Sequence, residues 1–167
     1  MSATGTVELG SAAVGDEMTP LSRTVTQEQV NAYAEASGDH NPIHVDPEFA
    51  RAVGLPGTIA HGLLDMGILT EAVARWAGGY EQVASVACRF SKPLLPGETV
   101  TCTGRVVAVD ASAGTATLEF EAVSSSGERV LTNGRATVRL ARIGEEHENG
   151  ARFQSHHRAG GDPQARL

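Results

Sequence analysis

The sequence predicts one α+β domain, with helices in its first half and an antiparallel sheet in its second. Apolar residues recur at helical spacing as far as residue 77 and at alternate positions from residue 83 onward. Helices followed by consecutive strands are typical of an α+β domain, whereas alternating strands and helices would indicate parallel βαβ units. A chain of 167 residues, 41% of them apolar, can bury one core of this kind. We place the domain at residues 1–141.

Two short helices are predicted ahead of the longest one. Thr26 and Gln29 have the spacing of a capping box, so a helix is expected over residues 26–36. Asp46 is a good N-cap and Pro47 suits the first helical position, so a second helix is expected to begin there. The apolar face of this second helix is expected to consist of Phe49, Ala50 and Val53.

The longest helix is predicted over residues 60–77, and the glycine pair at 78–79 ends it. This helix is rich in small residues, which suits a helix closely wrapped by a sheet. Its apolar stripe is expected to consist of Leu63, Met66, Gly67, Thr70, Val73 and Ala74.

Four strands follow the long helix, because polar and apolar residues then alternate and turn-forming residues separate the runs. A weaker extended signal lies near residues 6–9. Residues 142–167 lose all periodicity and are polar, so we expect a disordered tail there. The four strands are expected at residues 83–90, 98–110, 115–124 and 129–140.

Charge and composition argue against several classes of function. The net charge is -7 and the 13 basic residues form no stripe, so nucleic-acid binding is not expected. No apolar run is long enough to span a membrane, and the N-terminus does not resemble a signal peptide. Cys88 and Cys102 lie in apolar β-like runs, so we expect reduced thiols in a cytoplasmic protein.

The segment between the first two helices holds the residues best suited to acid–base chemistry. Asp39, Asn41 and His44 lie within six residues, and Pro42 makes the segment a rigid bend. A carboxylate and an imidazole brought together in this way can share a water or a substrate hydroxyl, with the carboxylate orienting the ring. The alternative is structural, with Asp39 and Asn41 as turn formers and His44 as a hydrogen-bonded side chain at a helix entry.

A second candidate segment opens the longest helix. The first amides of a helix lack internal partners, and Gly62 lets a ligand carbonyl approach one of them closely. Alternatively, Gly62 only allows close packing of helix and sheet, and His61 is a core or capping histidine. The sequence holds no phosphate-binding loop, nucleophile elbow or zinc-binding motif, and the histidines of the tail lack partners at metal-ligand spacing. We therefore expect neither a cofactor nor a metal.

Three ordered motifs resemble those of the MaoC-like (R)-specific enoyl-thioester hydratases and dehydratases. They are the hydratase signature YAEASGDHNPIH at residues 33–44, the helix entry IAHGLLDMG at 59–67 and the strand-and-turn element RFSKPLLPGE at 89–98. The resemblance implies a hot-dog fold, in which an antiparallel sheet wraps round one long helix. It also implies a dimer whose two sheets join edge to edge, which would cover exposed strand edges.

The resemblance implies roles for particular residues. Asp39 and His44 match the catalytic pair that activates water for addition to a trans-2-enoyl thioester, or assists its loss from a (3R)-hydroxyacyl thioester. Gly62 matches the position whose backbone N–H polarises the thioester carbonyl. Thr70 lies where some members carry a hydroxyl that hydrogen-bonds the catalytic aspartate. The substrate-binding residues implied in this way are Asn41, Ala60, His61, Gly62 and Thr70.

Within this family the sequence looks closest to the catalytic B subunit of actinobacterial two-subunit (3R)-hydroxyacyl-ACP dehydratases. The implied function is reversible dehydration of acyl-ACP in fatty-acid or polyketide chain elongation. The implied assembly is a homodimer, or a heterodimer with a related hot-dog subunit. The alternatives are an (R)-specific enoyl-CoA hydratase of acyl-CoA metabolism and a non-catalytic subunit that binds acyl thioesters. A thioesterase is a weaker alternative, with Asp65 as its candidate acid.

Overall fold

A five-stranded antiparallel sheet and four α-helices form the part of the chain that the computed structural model describes, residues 11–141. The spatial order of the strands is β1-β3-β4-β5-β2. The predicted α+β class is therefore confirmed, while the weak extended signal near residues 6–9 and the predicted tail at 142–167 lie outside the described residues. The elements are β1 (Leu21–Thr24), α1 (Gln27–Ser37), α2 (Pro42–Val45), α3 (Pro47–Ala52), α4 (Gly62–Ala77), a 3-10 turn (Tyr80–Gln82), β2 (Val83–Phe90), β3 (Thr99–Asp110), β4 (Thr115–Ser124) and β5 (Arg129–Arg139).

Alternation along the central strands decides which face of the sheet is buried. In β4, Leu118, Phe120 and Ala122 are buried, and the residues between them are exposed or half-buried. A slip of one residue would turn this apolar set to solvent, so the pattern specifies the register with β3 and β5. The four strands predicted from alternation are confirmed within one residue at each end.

The helix starts also follow local sequence chemistry. The capping box of Thr26 and Gln29 is formed at the start of α1. Asp46 Oδ1 accepts hydrogen bonds from two backbone N–H groups in the first turn of α3. These contacts satisfy amides that have no partner inside the helix, which explains why both starts were predictable.

Two short elements were not predicted. Strand β1 has four residues, of which only Leu21 is buried, so it carries too little alternation to be recognised. Helix α2 is a single turn with Asn41 as its N-cap and Pro42 at its start. It occupies the segment that we expected to be a rigid bend, and it sets the position of His44.

The long helix α4 begins two residues later than predicted and buries a different stripe. The backbone of the N-cap His61 is extended (φ -68°, ψ 134°), so the chain becomes helical only at Gly62. The predicted apolar stripe was wrong in part, because Leu63 is 62% exposed. The helix is apolar on two sides, and the spacing of residues does not tell which side meets the sheet. The buried residues are Asp65, Leu69, Ala72, Val73, Ala74 and Ala77.

Several large apolar side chains stay exposed on α3, α4 and the end of β2. Of the predicted apolar face of α3, only Ala50 is buried, whereas Phe49 and Val53 are exposed. Leu63 on α4 and Phe90 at the end of β2 are exposed as well. Each of these four side chains is at least 41% exposed, so the residues within 11–141 leave this apolar area open.

Both cysteines of the chain are free, as predicted. Burial raises the pKa of the Cys102 thiol to about 12, so this thiol remains protonated at neutral pH. No helix within the described range is long and apolar enough to cross a membrane.

Candidate active site

The bend between α1 and α3 brings Asp39 and His44 together. Asp39 Oδ2 lies 4.0 Å from His44 Nε2, which is too long for a direct hydrogen bond. The Asp39 side chain is 55% exposed and that of His44 only 9%. When the imidazole is neutral, a water molecule beside both groups can donate one hydrogen to each of them. The pair is therefore suited to holding a water molecule between a carboxylate and a base.

A backbone carbonyl orients the imidazole of His44. His44 Nδ1 lies 2.8 Å from the carbonyl oxygen of Ile59, and a carbonyl only accepts, so Nδ1 carries the hydrogen. Nε2 is then the nitrogen with the lone pair, and it faces Asp39. We expected Asp39 to orient the imidazole ring of His44. The backbone carbonyl of Ile59 orients it instead, and Asp39 lies on the side of the other ring nitrogen, Nε2.

His61 packs directly against His44. The two rings are stacked with centroids 3.8 Å apart, and the Tyr33 ring lies on His61 at 4.9 Å. His61 Nε2 donates to the backbone carbonyl of Asp39 at 3.0 Å. His61 is buried, and its other nitrogen, Nδ1, has no hydrogen-bond partner among the described residues. His61 thus supports the loop that carries Asp39, a contact that sequence spacing did not reveal.

The three side chains do not fit a metal ion. Asp39, His44 and His61 place possible ligand atoms within 4.8 Å of one another, and the donor set alone would suit a divalent cation. However, the two imidazole planes are only 25° apart in the stack. A ring nitrogen directs its lone pair in the plane of its ring, so stacked rings direct their lone pairs side by side and not toward one ion.

Gln27 ties the segment that carries His44 to α1. Its Nε2 donates to the His44 carbonyl at 2.9 Å and to Asn31 Oδ1 at 2.8 Å. Its Oε1 accepts from the Thr58 hydroxyl at 2.5 Å. Gln27 therefore links α1, α2 and the segment that leads into α4. Sequence analysis missed this residue because a glutamine in the first turn of a helix gives no signal of such contacts.

Gly62 was interpreted from the sequence either as an amide open to a ligand or as a point of close packing between helix and sheet. It is the first residue of α4, and its N–H donates to no backbone carbonyl within residues 11–141. A Cβ at this position would lie 3.1 Å from the Phe90 ring, so the glycine does allow close packing. Its amide also remains open to a ligand. The neighbouring Ala60 N–H is engaged with the Leu94 carbonyl and does not have this freedom.

Asn41 and Thr70 make hydrogen bonds close to their own positions. Asn41 Oδ1 accepts from the Ile43 N–H at 3.3 Å, and the Asn41 N–H donates to Asp39 Oδ1 at 3.3 Å. Asn41 thus organises the loop in this structure. The Thr70 hydroxyl donates to the Met66 carbonyl one turn earlier at 2.8 Å and makes no hydrogen bond to Asp39.

Asp65 is a buried acid that forms no salt bridge with any described residue. It is 4% exposed, and its Oδ1 has no hydrogen-bond partner in the described part of the chain. Burial raises its pKa from 3.8 to about 7. Sequence analysis considered Asp65 only as the acid of a thioesterase. Its burial against the sheet could not be read from the sequence.

A sheet packed on one long helix, with an Asp/His pair near the first amide of that helix, defines a hot-dog protein equipped for acid–base chemistry. Residues 11–127 match the family model described as the MaoC-like domain. The chain belongs to this family.

Comparison with individual proteins agrees with this family. The 3-hydroxyacyl-thioester dehydratase Y of Mycobacterium tuberculosis is 44% identical over 78 residues, which cover 45% of this chain and 27% of that protein. The structure of an (R)-hydratase from A. caviae involved in PHA biosynthesis superposes with a TM-score of 0.72 at 29% identity, covering 78% of this chain and 98% of that chain. The ChsH1-ChsH2 complex from M. tuberculosis gives a TM-score of 0.68 at 25% identity, with 77% and 98% covered. The chain thus spans about a quarter of the first of these relatives.

Proposed function

We propose that this protein is a hydro-lyase that interconverts trans-2-enoyl thioesters and (3R)-hydroxyacyl thioesters. The observation that carries the proposal is the placement of His44 Nε2 4.0 Å from Asp39 Oδ2, with the Ile59 carbonyl on the other nitrogen. This arrangement provides a base and a carboxylate for one water molecule. The similarity to a 3-hydroxyacyl-thioester dehydratase and to an (R)-hydratase supports the same reaction.

In the hydration direction, His44 Nε2 takes a proton from the water held by Asp39 as the water oxygen bonds to the substrate Cβ. Negative charge then develops on the thioester oxygen. The Gly62 N–H, at the positive end of α4, is suited to stabilise that charge where it forms. The proton that His44 Nε2 took from the water is then delivered to Cα, which restores both the carbonyl and the neutral imidazole, so the product has gained the elements of water. Dehydration is the reverse of these steps.

For the physiological substrate we propose an acyl group carried by ACP, in fatty-acid or polyketide chain elongation in the cytoplasm. CoA and ACP present the same phosphopantetheine arm, so an acyl-CoA is a suitable probe of the chemistry. Residues 1–141 are the proposed catalytic domain, and the substrate class rests on the resemblance of the motifs around Asp39 and Gly62.

We propose that a second hot-dog subunit, either a copy of this chain or a related one, covers the exposed side of α4. Leu63 on α4 and Phe90 on β2 are 62% and 51% exposed, and β2 lies at an edge of the sheet. An apolar helix side next to an unpaired strand edge favours association with another sheet. The existence of a ChsH1-ChsH2 complex among the similar structures supports a subunit of the same fold.

Hydration of crotonyl-CoA, followed by loss of enoyl absorbance, tests the activity. Asp39→Asn and His44→Ala are each expected to lower turnover by about 10²–10⁴-fold, the usual contribution of a positioned acid or base. His40→Ala is the matched control, because His40 lies in the same loop, exposed and apart from the pair. Wild-type rates in folded Asp39→Asn protein would exclude the proposed mechanism.

If the purified wild type is inactive, the same assay is repeated with a candidate partner subunit and with an acyl-ACP. Activity that appears only then, and that Asp39→Asn removes, supports the two-subunit form of the proposal. A folded protein that binds acyl thioesters but never turns them over would be a non-catalytic subunit instead.

Leu63→Glu tests the proposed subunit contact. A charge in the centre of an apolar interface is expected to shift the protein to a smaller species in light scattering. Val14→Glu is the control, because Val14 is 67% exposed and lies outside α4 and β2. An unchanged mass for Leu63→Glu would place the contact elsewhere.

A further inference from the structure

The segment that presents the Ile59 carbonyl to His44 belongs to no helix or strand. It lies between α3 and α4, and the Ile59 N–H ties it to α2 by donating to the Ile43 carbonyl at 3.1 Å. One side chain of this segment adds a second tie, because the Thr58 hydroxyl donates to Gln27 Oε1 on α1 at 2.5 Å. The position of the Ile59 carbonyl therefore depends on contacts with other elements, and not on a regular structure of its own.

The contacts of Gln27 allow its side-chain amide only one orientation. The His44 carbonyl lies 2.9 Å away and can only accept, so the amide turns its Nε2 toward this carbonyl and its Oε1 toward Thr58. The Thr58 hydroxyl is the donor that Oε1 finds among the described residues. Without this hydroxyl the amide loses the contact that fixes it, and its Nε2 is free to turn away from the His44 carbonyl.

We propose that Thr58 is a positioning residue whose hydroxyl holds His44 at two points. Through Gln27 it fixes the backbone carbonyl of His44. Through its neighbour Ile59 it fixes the carbonyl that accepts from Nδ1 of the ring. His44 then keeps the tautomer in which the lone pair of Nε2 faces Asp39. The effect on turnover rests on the proposed hydratase function, whereas the effect on the His44 tautomer does not.

The stack with His61 does not replace these contacts. It lies against the face of the His44 ring, with centroids 3.8 Å apart, and so holds the plane of that ring. A stacking contact does not distinguish the two nitrogens at the edge of the ring. The choice between them is made by the hydrogen bond from Nδ1 to the Ile59 carbonyl.

The tautomer of His44 decides whether its Nε2 can act as a base. With the hydrogen on Nδ1, Nε2 lies 4.0 Å from Asp39 Oδ2 and can take a proton from a water molecule beside both groups. With the hydrogen on Nε2, this nitrogen only donates and no lone pair faces the water. Loss of the Thr58 hydroxyl is therefore expected to lower kcat. KM should change little, because the amide of Gly62 proposed to bind the thioester is not altered.

Thr58→Val and Thr58→Ser form a matched pair of full-length variants. Valine replaces the hydroxyl by a methyl group, whereas serine keeps the hydroxyl. Nitrogen-15 NMR of the histidine side chains at about pH 8, where a free imidazole is neutral, reports the tautomers, and His44→Ala assigns the His44 signals. Wild type and Thr58→Ser are expected to show the Nδ1–H tautomer of His44. Thr58→Val is expected to show a mixture of both tautomers.

Hydration of crotonyl-CoA is the second readout. Thr58→Val is expected to lower kcat by about tenfold with KM nearly unchanged, the cost of a misplaced base, and Thr58→Ser is expected to keep the wild-type kcat. Gln27→Glu should reproduce the loss, because its carboxylate accepts from Thr58 but has no hydrogen for the His44 carbonyl. Asn31→Ala is the control, because it removes the exposed acceptor of the same Gln27 amide and should change neither readout.

A merely structural role of Thr58 predicts a different result. Thr58→Val would then lose stability but, at temperatures where it is folded, would show the wild-type tautomer and kcat. That outcome would overturn the inference, and so would a Thr58→Ser protein that behaves like Thr58→Val. If Thr58→Val does not fold, Gln27→Glu decides by the same two readouts. If the tautomer responds as expected but no protein, including wild type, hydrates crotonyl-CoA, the positioning role stands and the proposed function fails.

Discussion

Replacing the buried Asp65 by Asn is expected to stabilise the protein at alkaline pH much more than at acid pH. Asp65 is 4% exposed, and burial raises its pKa in the folded protein from 3.8 to about 7. A group with a raised pKa binds its proton more tightly when folded than when unfolded. The folded state is therefore favoured at low pH, and this advantage is lost as the pH rises from about 4 through about 7.

The magnitude follows from the difference between the two pKa values. One pKa unit corresponds to about 1.4 kcal/mol, so the shift from 3.8 to about 7 lowers the free energy of unfolding by about 4 kcal/mol between acid and alkaline pH. Domains are stable by only about 5–15 kcal/mol, so the effect is measurable. Asn does not titrate, so the stability difference between variant and wild type should widen by this amount.

Urea unfolding at a series of pH values, followed by the fluorescence of the single tryptophan, Trp76, measures the difference. Asp110→Asn is the control. A hydrogen bond from the Ser112 side chain lowers the pKa of the exposed Asp110, so its contribution is lost as the pH falls. A stability difference for Asp65→Asn that stays constant with pH would show that this carboxyl is not buried as described.

Two further substitutions test the geometry of the site. Gly62→Ala places a Cβ 3.1 Å from the Phe90 ring, next to the open amide, and is expected to reduce crotonyl-CoA hydration. Gly67→Ala is the control, because its Cβ would meet nothing within 4 Å, and it should leave hydration unchanged. Gln27→Ala removes the donor to the His44 carbonyl and is expected to cost about 1–2 kcal/mol in urea unfolding and to lower turnover. Unchanged turnover in either variant would separate that residue from catalysis.

Local interactions explain the parts of the fold that were predictable. The capping box of Thr26 and Gln29 and the N-cap Asp46 act within a few residues, so their sequence spacing was sufficient. Strands β3 to β5 were recognised because each is long enough for buried residues to alternate with more exposed ones. Strand β1 was missed because its four residues pair only with the distant β3.

In the candidate site, too, contacts between residues close in sequence were predictable and contacts with distant residues were not. Asp39 and His44 are close in sequence, and their proximity was predicted from the bend between them. The partner that orients His44 is the backbone of Ile59, and the ring stacked on it belongs to His61. Backbone carbonyls carry no residue-type signal, so the tautomer of His44 could not be derived from the sequence.

By itself, the sequence determined the fold class, the long helix, the run of strands and the two segments that carry Asp39, His44 and Gly62, because each depends on contacts between near neighbours or on a short repeating pattern. Only the tertiary structure decided which side of α4 meets the sheet, which atoms orient His44 and that Asp65 is buried with no hydrogen-bond partner for its Oδ1 within residues 11–141. Helix α4 is apolar on two sides, and no local rule chooses between them. The choice is made by packing against strands that lie elsewhere in the chain.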